Sequence, residues 1–126
     1  MQEIKGLKPV AVGLLGLGTV GGGTLNVLVR NAAEIARRAG REILVTHAAA
    51  RDYDPSRLEG LESVNLTDDA FSVVEEPSVD VIVELIGGYS PARELVLKAI
   101  ANGKDVVTAN KALIAPHGNE IFAAAQ

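Results

Sequence analysis

The chain has 126 residues, enough for one domain with a buried core, and hydrophobic residues make up 48% of it. Aromatics are only 3% and Trp is absent, so the core is aliphatic, which suits a parallel sheet whose strands read as near-continuous apolar runs. A net charge of −4 argues against a nucleic-acid surface, and the absence of Cys excludes disulfides and thiolate metal sites. With no secretory h-region at the start and no apolar run long enough to span a membrane, the reading is a soluble, cytoplasmic domain.

Residues 1–8 form a polar lead-in, and Pro9 stands where a strand can forgo an N–H. The first strand is predicted over Val10 to Leu15. It runs straight into Gly16-Leu17-Gly18-Thr19-Val20-Gly21, a G-x-G-x-x-G spacing with a helical pattern behind it. In that setting Gly16 serves the tight turn, and Gly18 lets a pyrophosphate approach the backbone. Gly21 lets the helix pack close to the strand. The backbone of Leu17, Gly18, Thr19, Val20 and Gly21 would then hold the anion at the helix N-terminus. The alternative is a glycine-rich turn without a ligand; strand before and helix after favour dinucleotide binding.

One helix is predicted from this loop to Gly40, with Val20, Leu25, Leu28, Ala32, Ile35 and Ala36 close to one face. Arg37 and Arg38 complement the dipole in its last turn and are assigned no ligand. Gly40 is the stop.

Ile43 to Ala50 reads as the second strand, with His47 a core residue rather than a ligand. Its tip, Ala49-Ala50-Arg51-Asp52, bears on cofactor choice. An acidic residue there binds the ribose 2′-OH of NAD, whereas an Arg accommodates the 2′-phosphate of NADP. The first polar side chain is the Arg51 guanidinium, so the tip leans toward NADP, with NAD still open through Asp52. The bland alternative is an exposed Arg51 paired with Asp52 or Asp54.

Residues 52–63 read as a loop with one helical turn, and Asn65-Leu66-Thr67 as a short third strand. Thr67 with Asp68 or Asp69 would cap a short helix through Val74 that ends before Pro77. Val79 to Ile86 is the fourth strand and stops at Gly87-Gly88, where glycines can let a flat ring approach; an ordinary turn is the alternative. Ser90 as cap and Pro91 at the first helical position start a helix carrying Leu95, Val96, Ala99 and Ile100, which Gly103 ends. Lys104 to Ala109 is the fifth strand, delivering Asn110 and Lys111. Asn119 caps a final helix over 120–126.

This order predicts an α/β fold, an open, doubly wound parallel sheet of Rossmann type, with ligands across the carboxyl ends of its strands at the switch point. The glycine loop, Gly87-Gly88 and Asn110-Lys111 would meet there.

Gly-Leu-Gly-Thr-Val-Gly-Gly-Gly at 16–23, Ala-Arg-Asp at 50–52, Val-Glu-Leu-Ile-Gly-Gly at 83–88 and Val-Thr-Ala-Asn-Lys-Ala-Leu-Ile-Ala at 107–115 together resemble homoserine dehydrogenase over nearly the whole chain. The resemblance implies NAD(P)-dependent interconversion of L-aspartate 4-semialdehyde and L-homoserine, in the biosynthesis of threonine and methionine from aspartate. It implies that Lys111, at the nicotinamide and substrate end of the cleft, is catalytic and contacts the cofactor. Arg51 would lie near the adenosine ribose and its 2′-phosphate, with Ile86 and Gly87 among the cofactor-binding positions.

The family continues with a sixth strand and a domain that binds substrate, supplies the catalytic Asp and Lys and forms the dimer interface. The chain is therefore expected to be the cofactor half alone, truncated before the last strand and cut within a helix. It should bind cofactor without turnover, its parent being a homo-oligomer acting on a small molecule. The competing class is a stand-alone nucleotide-binding or redox-sensing module, which has no need of an amine at Lys111. A methyltransferase is weaker, because its glycine loop usually lacks this spacing.

Overall fold

The computed structural model describes residues 8–86 and 91–108. Gly87, Gly88, the Ser90 cap, Asn110, Lys111 and the helix expected over 120–126 lie outside the described residues. Five strands form one sheet: β1 (Val10–Leu15), β2 (Ile43–Ala49), β3 (Asn65–Thr67), β4 (Val81–Glu84) and β5 (Asp105–Thr108). Their order is β3-β2-β1-β4-β5, and every neighbouring pair is parallel. The chain thus runs outward from β1 through β2 to β3, returns to the other side of β1, and runs outward again to β5. The reversal leaves a crevice between the carboxyl ends of β1 and β4, where ligands bind in open α/β sheets.

Helices α1 (Thr19–Arg30) and α2 (Ala32–Ala39) cover one face; α3 (Ala70–Glu75) and α4 (Ala92–Ala101) cover the other. Val12, Leu14, Leu17, Leu25 and Ala48 are buried under α1. Leu15, Ala49, Val73, Val74, Ile82, Leu95 and Ala99 fill the layer under α3 and α4. Both faces of β1 are therefore apolar, as the composition requires. Gly13 is the gap in that run: a Cβ there would lie 2.6 Å from Val73 Cγ1, so its absence lets α3 approach the sheet.

Where the elements differ from expectation, local chemistry explains the difference. The helix after the glycine loop is two helices broken at Asn31. That residue leaves helical geometry at φ −108 and ψ 22, and its Nδ2 joins its own amide in donating to the Val27 carbonyl, each at 3.0 Å, which closes the end of the first helix. Gly40 does stop the second helix, at φ +80. Val20 is 62% exposed and off the apolar face. Gly21, Gly22 and Leu25 face the sheet instead, one step further round the helix. Ala32 is exposed as well.

Residues 52–63 hold two 3-10 turns, Pro55–Arg57 and Leu61–Ser63, rather than one helical turn. Asp69 caps α3, accepting from the Phe71 amide at 3.1 Å. The fourth strand is four residues long, shorter than the apolar run that contains it. Pro91 takes the cap position of α4 rather than its first turn. The fifth strand starts one residue late, because the Lys104 amide donates to the Ala99 carbonyl at the end of α4 at 3.0 Å. The Lys104 ammonium donates to the Glu76 and Val79 carbonyls, each at 2.6 Å, tying the end of α3 to the approach to β4. That lysine is buried at the amino edge of the sheet and is a structural cross-brace.

Candidate functional site

Backbone geometry requires glycine at 16 and 21, whereas a Cβ at 18 or 23 would meet nothing within 4 Å. Gly16 has φ +105, and a Cβ on it would sit 3.2 Å from the Leu85 carbonyl oxygen, so it serves the turn out of β1. A Cβ on Gly21 would lie 2.0 Å from the Gly16 oxygen, and one on Gly22 would lie 2.9 Å from Leu58 Cδ2. Helix α1 can pack against the turn only because Gly21 has no side chain; at Gly22 the neighbour is the end of the Leu58 side chain. Gly18 is different. Its φ of −71 and ψ of −154 are open to any L-residue, and a Cβ there meets nothing within 4 Å. No protein atom demands a glycine at 18; the space over it is kept clear.

That space faces the start of α1. Gly18 caps the helix without a side-chain hydrogen bond, and the first turn carries no acidic residue. The first amide to reach back is that of Gly22, donating to the Gly18 oxygen at 2.7 Å. The amides of Thr19, Val20 and Gly21 precede it, so helix geometry gives them no partner. Such amides at the positive end of a helix dipole suit a phosphate-sized anion. Leu17, 3% exposed, pins the loop into the core beneath α1.

Beyond β2 the chain supplies the other side of the cleft. Arg51 is exposed, and no hydrogen bond or ion pair joins it to Asp52 or Asp54 among the described residues. Asp54 instead accepts from the Ser56 hydroxyl at 2.7 Å and the Ser56 amide at 3.0 Å. Those two bonds hold its carboxyl below the usual carboxylate range.

Segment 53–59 is clasped to α1 by Asn26, which donates to the Arg57 carbonyl at 2.7 Å and accepts from the Glu59 amide at 2.9 Å. Arg30 pairs with Glu59 at 2.6 Å one helical turn further on. Between glycine loop and segment lies a cavity of about 370 Å³ lined by Leu17, Gly18, Asn26, Tyr53, Arg57 and Leu58. Sequence reasoning missed Asn26 and the Tyr53–Arg57 wall, because only the folded chain brings residues 26 and 57 together. A larger cavity, about 550 Å³, opens by Glu75, Pro77 and Lys104 at the amino edge of the sheet, away from this cleft.

At the β4 side, the Leu85 amide donates to the Leu15 carbonyl at 2.9 Å, carrying the β1–β4 ladder one residue past the strand. Ile86, 40% exposed, follows at the lip of the crevice. Glu84, which the sequence reading passed over, is fully buried beside it and accepts from the Ile86 amide. The glycine loop and Ile86 thus meet across the switch point, with Arg51 at the tip of β2; Gly87 and Lys111 lie outside the described residues. His47, in β2, shares a hydrogen bond of 2.9 Å with the Thr46 hydroxyl.

A parallel five-stranded sheet with helices on both faces and a glycine loop at its switch point is an α/β domain of Rossmann type. Residues 16–126 match the family model of the homoserine dehydrogenase NAD-binding domain, and the chain belongs to that family. Its cofactor is therefore a nicotinamide dinucleotide. It is 65% identical over 120 residues to a homoserine dehydrogenase of Pseudomonas aeruginosa, covering 95% of this chain and 27% of that protein. A homoserine dehydrogenase of Methylobacillus glycogenes is 62% identical over 109 residues, covering 86% and 26%. The crystal structure of a homoserine dehydrogenase from Thiobacillus denitrificans superposes with a TM-score of 0.84 at 65% identity, over 94% of this chain and 27% of that one. The chain therefore spans about a quarter of the length of the relatives it matches. Among the described residues no helix is long and apolar enough to cross a membrane.

Proposed function

We propose that this chain is the cofactor-holding part of a homoserine dehydrogenase and that it prefers NADP to NAD. The parent reaction is the interconversion of L-aspartate 4-semialdehyde and L-homoserine, with the substrate pocket and the subunit interface supplied beyond this domain. On this reading the chain alone binds cofactor and turns nothing over. The observation that carries the reading is the clear space over Gly18 beside the amides of Thr19, Val20 and Gly21.

Each remaining position has a role in it. The loop backbone from Gly16 to Gly21 holds the pyrophosphate, and Arg51 meets the 2′-phosphate of the adenosine ribose. Ile86 and Gly87 border the nicotinamide, which supplies or accepts the hydride when bound. Lys111, three residues after the end of β5 in sequence, is assigned the role of stabilising charge developing on the substrate oxygen or passing it a proton through water.

Arg51→Ala tests the cofactor preference. A lost charge-assisted phosphate contact costs about 1.5–3 kcal/mol, a factor of about ten or more in affinity. NADPH binding should fall by that factor while NADH binding holds. Equal losses for both would make Arg51 structural and remove the NADP preference.

A further inference from the structure

The last residue of β4 is an acid where the packing calls for a hydrocarbon. Glu84 is on the same sheet face as Ile82, at 0% exposure, in the layer that α3 and α4 otherwise fill with Val, Leu and Ala. A carboxylate in such a place is costly unless its oxygens are bonded. Both are. Oε2 accepts from the Ile86 amide at 2.7 Å, and Oε1 accepts from the Thr108 hydroxyl at 2.7 Å. Glu84 and Thr108 are register partners, so this bond crosses the final rung of the β4–β5 ladder. One buried carboxylate therefore fixes the backbone two residues beyond β4 and the last residue of β5.

Those two strand ends deliver the segments that border the nicotinamide in the function proposed above, on which this inference rests. Ile86 leads into Gly87, and Thr108 is three residues before Lys111. A packing role would be filled better by Leu or Met, which need no partners. A role in setting two backbones against one another requires two acceptors at a fixed separation.

We infer that Glu84 is a positioning residue for the nicotinamide end of the cleft: its carboxylate sets the exit of β4 against the exit of β5 and touches no cofactor itself. Gln can serve in its place. Its carbonyl accepts from the Ile86 amide, and its NH2 donates to the Thr108 hydroxyl, which is acceptor as well as donor. Ala leaves both donors without that partner.

The test compares Glu84→Ala and Glu84→Gln with wild type by calorimetric titration. The ligands are NADPH and its nicotinamide-free fragment 2′,5′-ADP, with NADH and ADP-ribose in parallel. Glu84→Ala should weaken the dinucleotide about tenfold and leave the fragment within about twofold; Glu84→Gln should restore the dinucleotide to within about threefold of wild type. A general loosening of the fold would weaken both ligands together, and that result overturns the inference. So does an unchanged dinucleotide affinity, or a Gln variant as poor as Ala. Should Glu84→Ala fail to fold, Thr108→Val, an isosteric change that removes one of the two bonds, reads the same contrast. It should weaken the dinucleotide severalfold and spare the fragment, and equal effects on both overturn the inference. Wild type that binds no dinucleotide would instead remove the proposed function, and the role of Glu84 with it.

Discussion

Replacing Gly18 by Ala should separate folding from binding. The backbone at 18 is in an ordinary extended conformation, and the new Cβ meets no protein atom within 4 Å, so the folded chain accepts it without strain. Loss of glycine's freedom in the unfolded chain favours Ala by about 0.4–1 kcal/mol. The preference for Gly over Ala at a helix cap opposes it by about 0.5 kcal/mol. The two nearly cancel, and a net change within about 0.5 kcal/mol moves the Tm by no more than about 4 °C. Binding has no such compensation. The methyl group occupies the clear space a pyrophosphate must enter, and each charge-assisted bond to the α1 amides that is lost costs about 1.5–3 kcal/mol. NADPH affinity should therefore fall at least about tenfold. Thermal denaturation and calorimetric titration of the same preparation read both quantities. Wild-type affinity in Gly18→Ala would refute the assignment of the cradle, and a collapse in Tm would refute the reading of Gly18 as structurally dispensable.

The neighbouring glycine should behave in the opposite way. Gly21→Ala puts a Cβ 2.0 Å from the backbone oxygen of Gly16, an overlap worth about 3 kcal/mol against about 1 kcal/mol returned in helix propensity. A clear drop in Tm is expected, and an unchanged Tm would show that the close packing of loop and helix is dispensable. Asn26→Ala removes two hydrogen bonds to segment 53–59, each worth about 1 kcal/mol. The segment should become more susceptible to limited proteolysis, and a cleavage pattern like that of wild type would show that the clasp holds nothing. Lys111→Met in the full-length protein should slow hydride transfer in single turnovers with cofactor affinity intact. Weakened affinity with a normal rate would make Lys111 an anchor for the nicotinamide ribose, and wild-type values for both would make it a surface cation.

The parts of the fold set by local pattern were legible in the sequence. The bounds of β1 follow from an apolar run between Pro9 and Gly16, and Gly40 and Asp69 act as the stop and the cap that their residue types foretell. Legibility failed where a side chain acts at long range or against the periodicity. Asn31 breaks a helix whose apolar spacing runs straight through it. Lys104 looks like the polar start of a strand but is drawn under α3 by carbonyls 25 and 28 residues earlier.

The candidate site divides in the same way. The structural needs at Gly16 and Gly21 could be read from spacing, because a positive φ at one and the close approach of the other to the Gly16 oxygen arise within the loop and its helix; Gly18 meets no such constraint in the fold. Asn26 and Glu84 could not be read that way, since both partners of Asn26 lie 31 and 33 residues away and the Thr108 partner of Glu84 lies 24 away. Glu84 also sits in a strand whose other residues, Val81 to Val83, invite a purely apolar reading.

In the proposed function, the cleft between β1 and β4 holds a nicotinamide dinucleotide on the backbone of the glycine loop. Titration of the wild-type chain with NADPH and with NADH tests it most directly. Saturable binding of one dinucleotide per chain, tighter for NADPH and lost together with the open space at Gly18, is the predicted result. No saturable binding of either dinucleotide by folded protein at millimolar ligand would contradict it.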